Sequence, residues 1–301
     1  VVVAGENLVD LIGRGAELAA VTGGGPYNVA RTLGRLGRPT AYVGVISTDR
    51  FGRAIRAQLR ADGVDDSWAT DSALPTTLAL AELDESGGAT YRFYTEGTAA
   101  PSLDVDTART ALAARPSVVY IGTLGLLLQP MADALTDLVD SLAGDVVVAV
   151  DPNCRPSAVV DERGYRARLD RVLSRADVVK VSTEDLAWLS PGCEAGRAAA
   201  DLAVRSGGAV LVTAGGEAGV LVLSGGRTAT VGVEPVEVVD TVGAGDSFVG
   251  GFLAHWHEAG LGRDETRDLE QVVEATRFGA RVAAVTCTRV GADPPRRDEL
   301  A

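Results

Sequence analysis

The chain has a single lysine in 301 residues, Lys180, and a valine follows it. A Walker A loop ends in Gly-Lys-Ser/Thr, so that route to a nucleotide is closed. Histidine is almost as rare. His255 and His257 stand two apart on a helical stretch, point in different directions and do not chelate one metal together. No serine sits in a GxSxG elbow, and neither histidine lies in an HRD or HExxH context. Cys154, Cys193 and Cys287 form no CxxC pair, which excludes a zinc ribbon or disulfide framework and fits the reduced thiols of a cytoplasmic protein. Long apolar runs are missing too. The longest uncharged stretch, 116–132, is broken by Gly122, Gly125 and two prolines, so no membrane span is expected. Val1-Val2-Val3-Ala4-Gly5-Glu6 lacks a basic lead and reads as a buried strand, not as a signal peptide. Positive charge is in short supply: 28 Lys and Arg face 41 Asp and Glu, a formal charge of −13. Neither nucleic acid nor an anionic membrane is an expected partner, and a phosphate ligand would need a local site and a metal.

What is present is an ordinary globular composition, 46% hydrophobic and 23% charged, long enough to bury a large α/β core. Apolar runs at 1–5, 41–46, 117–122, 145–151, 177–181 and 209–213 read as buried parallel strands. Helical patterns lie between them at about 27–37, 51–62, 105–114, 131–143, 161–175, 184–189 and 196–206, and two more close the chain at 244–258 and 268–285. This alternation predicts a mainly parallel sheet covered by helices. Segments 76–84 and 89–95 break the rhythm. They alternate apolar and polar residues around Glu85-Ser86-Gly87-Gly88, a hairpin signal, and residues 8–21 also read as short strands. With no helix between them, these pieces predict a small sheet that could act as a lid. No repeat or linker divides the chain, so the expectation is one domain over 1–301 with lid segments at about 8–22 and 74–97.

Two glycine-rich turns carry chemistry. Asp240-Thr241-Val242-Gly243-Ala244-Gly245-Asp246-Ser247-Phe248 follows a short apolar run and opens a helix. Glycines there let backbone N–H groups approach an anion, and the helix adds its positive end. Asp246 falls in the first turn, where it caps the helix or serves as a general base beside a bound phosphate. A dinucleotide fingerprint fails, because Phe248 stands where its third glycine belongs. Gly23-Gly24-Gly25-Pro26-Tyr27-Asn28 precedes another helix and leaves bare backbone beside Asn28, whose amide can donate to and accept from a sugar hydroxyl. Asp10 could accept from two adjacent hydroxyls.

Together the two turns resemble the ribokinase-like (PfkB) carbohydrate kinase family, and the likeness runs in order along nearly the whole chain. It includes Gly5-Glu6-Asn7-Leu8-Val9-Asp10, Phe51-Gly52, Pro75-Thr76-Thr77 and Asp151-Pro152-Asn153-Cys154-Arg155-Pro156. It continues through Ala176–Ser182 and Thr213-Ala214-Gly215-Gly216-Glu217-Ala218-Gly219, and ends at Cys287-Thr288-Arg289-Val290-Gly291-Ala292. The resemblance implies a ribokinase-like three-layer α/β/α core with a small β-sheet lid. It makes Asp246 the base that takes the sugar hydroxyl proton, and Gly243, Ala244 and Gly245 the anion hole for the phosphoryl group. Sugar contacts carry over to Asp10, Gly24, Gly25, Asn28, Tyr94 and Arg155. ATP contacts carry over to Asn153, Ser182, Thr213, Gly215, Gly216, Glu217, Gly219 and Gly245. Many members hold a monovalent cation such as K+, for which the matching positions are Asp240, Val242, Thr286, Arg289 and Gly291. Mg2+ would arrive with ATP, with Asp185 acting through its waters.

The chain also departs from the family pattern. Ser182 and Asp185 stand where Asn and Glu are frequent, Val242 replaces a frequent threonine, and Tyr27 replaces a smaller residue. Gly5-Glu6 and Asp151-Pro152-Asn153 place the chain in the fructokinase and 2-keto-3-deoxygluconate kinase branch. Thr95 and Glu96 follow Tyr94 where an arginine is common, which favours a neutral sugar, fructose first, over a sugar acid. Arg92, if turned inward, would reverse that argument. Two readings from other classes stand beside the kinase: a catalytically silent sugar or nucleotide sensor, and a nucleotide-linked oxidoreductase, which the missing fingerprint disfavours. By analogy with the family, the lid could pair two copies into a homodimer.

Overall fold

The computed structural model describes residues 1–14, 17–83, 89–215 and 219–300. In chain order the elements are β1 (Val2–Ala4), β2 (Leu8–Arg14), β3 (Glu17–Gly23), α1 (Gly25–Arg35), β4 (Ala41–Val43), β5 (Val45–Ser47), α2 (Arg50–Ala61), β6 (Thr70–Ser72), β7 (Leu78–Leu83), β8 (Ala89–Tyr94) and α3 (Val105–Arg109). There follow β9 (Val118–Gly122), α4 (Met131–Ser141), β10 (Val147–Asp151), α5 (Glu162–Arg175), β11 (Val178–Ser182), α6 (Thr183–Leu189), α7 (Ala195–Ser206), β12 (Ala209–Thr213), β13 (Val220–Ser224), β14 (Arg227–Val231), α8 (Ala244–Glu258) and α9 (Leu269–Cys287).

Eight strands form the main sheet in the order β14-β13-β12-β11-β10-β9-β1-β4. The six from β12 to β4 are parallel, and β13 and β14 extend the sheet antiparallel. The sequence reading found the parallel strands because both of their faces are apolar. It missed β13 and β14, which are joined by Gly225-Gly226, both at positive φ, the backbone a tight hairpin needs. It also took 41–46 as one strand. The chain breaks at Gly44, where a Cβ would stand 2.8 Å from Gly5 O, and β5 leaves to pair with β6.

Alternation along each strand splits the core in two. On β9, Val119 and Ile121 pack with α4, α5 and α7, while Val118 and Tyr120 pack with α1, α8 and α9. The predicted three layers follow from that division. A second sheet, β3-β2-β7-β8, stands off the first, as expected for the lid. Its β7–β8 pairing runs from Leu78 opposite Tyr94 to Leu83 opposite Ala89. The turn expected at 85–88 lies outside the described residues. No described helix is long and apolar enough to cross a membrane.

Candidate active site

Parallel strands end on one edge of the main sheet, and a cleft of about 1020 Å³ opens there beneath the lid. The opposite edge carries a smaller hollow of about 580 Å³, lined by Asp145, Asp177 and Arg263 among others. The large cleft gathers residues far apart in sequence. Asp10 comes from β2, Gly24, Gly25 and Asn28 from the start of α1, Asn153 and Arg155 from the loop after β10, Thr213 and Gly215 from the end of β12, and Val242 to Asp246 from the turn into α8.

Asp246 lies in the first turn of α8 and is 9% exposed. Asn28 Nδ2 donates to its Oδ2 at 2.8 Å, across 218 residues of chain. Burial pushes its carboxyl up to about 7, against the Asn28 hydrogen bond and the nearby Lys180 and Arg155 charges. Asn28 Oδ1 is buried without a partner among the described residues, an acceptor left for a ligand. Gly243 caps α8 at φ +75, and a Cβ there would stand 2.4 Å from Ala292 Cβ. Only glycine fits that turn. The N–H groups of Gly245 and Asp246, in the first turn, have no acceptor within the helix. That of Ala244 turns back onto Thr241 O at 3.2 Å. Arg31, one turn beyond Asn28, donates to Ala292 O at 2.9 Å and to Asp62 at 2.8 Å, so α1 also braces the wall behind Gly243.

Asp10 carries a carboxyl raised to about 6 by burial. Glu6, which the sequence reading did not single out, is 1% exposed and binds three loops together. Its Oε1 accepts from Gly25 N–H and the Thr123 hydroxyl, and its Oε2 from Gly125 N–H at 2.9 Å. Desolvation raises it to about 7 despite these bonds. Thr123 and Asn153 both line the cleft at positive φ, +53 and +36, a strain that persists where surrounding contacts impose it.

Several expected residues lie elsewhere. Tyr94, expected at the sugar, is 49% exposed and on the other face of β8. The cleft instead receives Tyr91 and Phe93, stacked with ring centres 6.2 Å apart. Arg92 alternates with these two and shares the face of Tyr94, so it does not line the cleft. Ser182 caps α6 and is bonded to Asp185, whose Oδ1 also takes Cys154 N–H at 2.7 Å. Both Asp185 oxygens are therefore engaged in holding the loop. Gly219, at φ +72, packs against Val231 O. Gly216 and Glu217 lie outside the described residues.

The residues expected around a monovalent cation are neighbours. Asp240 Oδ1 accepts from Val242 N–H (3.0 Å) and its Oδ2 from Gly291 N–H (2.8 Å), while Cys287 O accepts from Asp240 N–H. Thr286 is buried, and its carbonyl accepts from Arg289 N–H. Among the described residues no group of three or more His, Cys, Asp or Glu could hold a metal.

An apolar wall completes the cleft on the α9 side. Ala280, Ala283, Ala284 and Cys287 present one small-residue stripe at helical spacing, opposite Val236 and Val238. That stripe was legible only as core. Lys180, taken from the sequence only as an obstacle to a Walker loop, also faces the cleft.

A buried carboxylate, bare amides at a helix start and a deep cleft under a second sheet suit a carbohydrate kinase, a phosphotransferase acting on a hydroxyl group. The chain belongs to the pfkB family of carbohydrate kinases, whose model matches residues 2–299. It is 36% identical over 255 residues to a fructokinase of Rhizobium leguminosarum bv. trifolii, covering 83% of this chain and 77% of that one. The structure superposes on fructokinase with bound ATP from Xylella fastidiosa with a TM-score of 0.90 at 27% identity, over 100% of this chain and 96% of the other. Fructokinase from Vibrio cholerae O395 in a form with fructose, ADP and calcium ion gives 0.85 at 26% identity, over 99% and 96%.

Proposed function

We propose that the protein transfers the γ-phosphate of ATP to a hydroxyl of a neutral sugar, fructose first, with Asp246 as general base. The hydrogen bond from Asn28 to Asp246 carries this reading, because it fixes the base at the mouth of α8 and inside the sugar pocket. A carboxyl near 7 is well matched to accept a hydroxyl proton at neutral pH. The amides of Gly243 and Gly245 would receive the phosphoryl oxygens, with Ala244 joining as its N–H leaves Thr241. Positioning and charge stabilisation do most of the work in such transfers.

Asp10, the unpartnered Asn28 Oδ1 and the bare backbone of Gly24 and Gly25 suit vicinal hydroxyls. Tyr91 and Phe93 suit the C–H face of a sugar. Asp10 and Asp246 line the pocket and Arg92 does not, which supports a neutral sugar over 2-keto-3-deoxygluconate, with the cations of the lining, Arg155 and Lys180, left for phosphate. The nucleotide would lie over Asn153, Thr213 and Gly215, its base toward the wall of Ala280, Ala283 and Ala284. The likeness to proteins solved with ATP, and with fructose and ADP, supports both placements.

Mg2+ would be carried in by ATP, since it is commonly held by substrate phosphates. Bound there it would neutralise phosphate charge. Asp240 and the carbonyls of Val242, Thr286, Arg289 and Gly291 fit a monovalent cation such as K+, which would steady the turn into α8. We also propose that the lid pairs two copies, since its edge strands β3 and β8 are unpaired among the described residues.

The test is ATP-dependent phosphorylation of neutral ketoses, aldoses, sugar acids and nucleosides, with Asp246→Asn as control. Turnover of fructose should fall by roughly 10² to 10⁴ in the variant. Equal turnover refutes the base, and nucleotide binding without turnover of any compound favours the sensor.

A further inference from the structure

Lys180 is 7% exposed, and the fold gives it a definite direction. On β11, Val179 and Val181 pack with α5 and α7, while Val178 packs toward α8 and α9. Alternation sends Lys180 to the α8 side. The register of β10 against β11 pairs Ala149 with Val178 and Val150 with Val179, so Asp151 falls beside Lys180 at the sheet edge. Lys180 Nζ donates to Asp151 Oδ2 at 3.0 Å.

Two features of this pair are odd for a structural ion pair. An ammonium has three donors, and Asp151 is the one acceptor given to it among the described residues. The cation also sits at the wrong end of a helix. A Cβ placed on Gly245 would stand only 3.3 Å from Nζ, so the charge faces the first turn of α8, where the helix field repels cations. A buried pair of this kind adds little stability over apolar side chains. The arrangement becomes favourable when an anion lies between the ammonium and the Gly245 amide, in the cleft that both line.

We propose that Lys180 is a catalytic residue of the phosphoryl transfer, donating a hydrogen bond to an oxygen of the γ-phosphoryl group alongside the Gly245 amide. The inference rests on the kinase reading above. The acceptor oxygen bonds to the γ-phosphorus as its proton passes to Asp246. The bond from the γ-phosphorus to the β–γ bridging oxygen breaks, and its electron pair leaves with ADP. Lys180 keeps its protons throughout and supplies charge where negative charge accumulates. Asp151 holds the ammonium in place before the nucleotide enters.

The decisive comparison is between Lys180→Met and the double variant Lys180→Met, Asp151→Asn, assayed with ATP and fructose beside the wild type. Removing one such donor should lower kcat by roughly 10² to 10³, with a smaller change in KM for fructose. The acid limb of the pH profile should also move up, since Asp246 loses a nearby cation. The double variant should stay as slow as the single one. Recovery in the double variant would show that Lys180 only neutralises Asp151, and it would overturn the inference, as would a Lys180→Met enzyme of undiminished kcat. A wild type that phosphorylates nothing removes the kinase reading and this inference with it.

A variant that fails to fold leaves a second measurement on the intact protein. With one lysine in the chain, lysine-selective isotope labelling gives a single side-chain resonance. It should shift on adding a non-hydrolysable ATP analogue with Mg2+, and hold still with fructose alone. A resonance indifferent to the nucleotide would overturn the proposal.

Discussion

Asp246, the proposed base, carries a cost in stability. Its carboxyl, raised from 3.8 to about 7 by burial, binds its proton more tightly in the folded chain than in the unfolded one. The folded state is therefore favoured by protonation, and that advantage is lost as pH rises from about 4 through 7. Asp246→Asn removes the titration. It should melt above the wild type at pH 8, with the gap narrowing at pH 5; thermal melts at the two pH values check the sign. Glu6 is raised to about 7 as well, and its stability contribution falls with rising pH in the same sense, but its oxygens accept from two amides and a hydroxyl. Glu6→Gln turns a donor toward one of these donors and should cost about 1–3 kcal/mol, read as a lower melting temperature. Glu6 and Lys180 were not legible as site residues. Each falls in a segment that marks the family but carries no chemistry of its own in the sequence, and its meaning comes from strands and loops that topology alone brings together. Asp246, Asn28 and the glycine turns were legible because their chemistry is local to a loop entering a helix.

At the scale of elements, β8 decides which aromatic rings enter the cleft. Tyr91 and Phe93 face the cleft, while Tyr94 takes the opposite face with the pleat. Tyr91→Ala should raise the KM for sugar roughly tenfold, about 1.4 kcal/mol, and Tyr94→Ala should leave it unchanged. Steady-state kinetics on the two variants separates the faces. The reading of Tyr94 as a sugar contact failed because aromatic residues stand on both phases of this strand, so alternation cannot choose between them. α8 was the reverse case. Its bounds, 244–258, were readable because glycine and aspartate mark its start and an apolar stretch fills its length. The turn before it is correspondingly intolerant. Gly243→Ala would force a side chain into left-handed backbone, about 1–2 kcal/mol, and against Ala292. Both melting temperature and turnover should fall, by calorimetry and by the phosphorylation assay.

At the scale of the molecule, the layers were predictable from strands apolar on both faces, whereas the sheet's antiparallel extension by β13 and β14 was not. β13 turns back on β12 and β14 on β13, with no helix between them, so the β–α alternation does not announce either strand. The paired lid belongs to this scale as well. Sedimentation should give twice the chain mass, and a charge on the exposed Leu18 of β3, Leu18→Glu, should return the protein to single copies. A last consequence lies in the order of the chain. The parallel strands from β1 to β12 and the sugar face of α1 all precede residue 214, whereas α8 and α9, which cover the apolar face of Tyr120, Ala149 and Val178, come after residue 243. A chain emerging from the ribosome thus carries a nearly complete sheet with one greasy side covered in part, by α1 and α2, until α8 and α9 appear. Asn28 waits through 218 residues of synthesis for Asp246, so one side of the cleft is made long before the group it will hold.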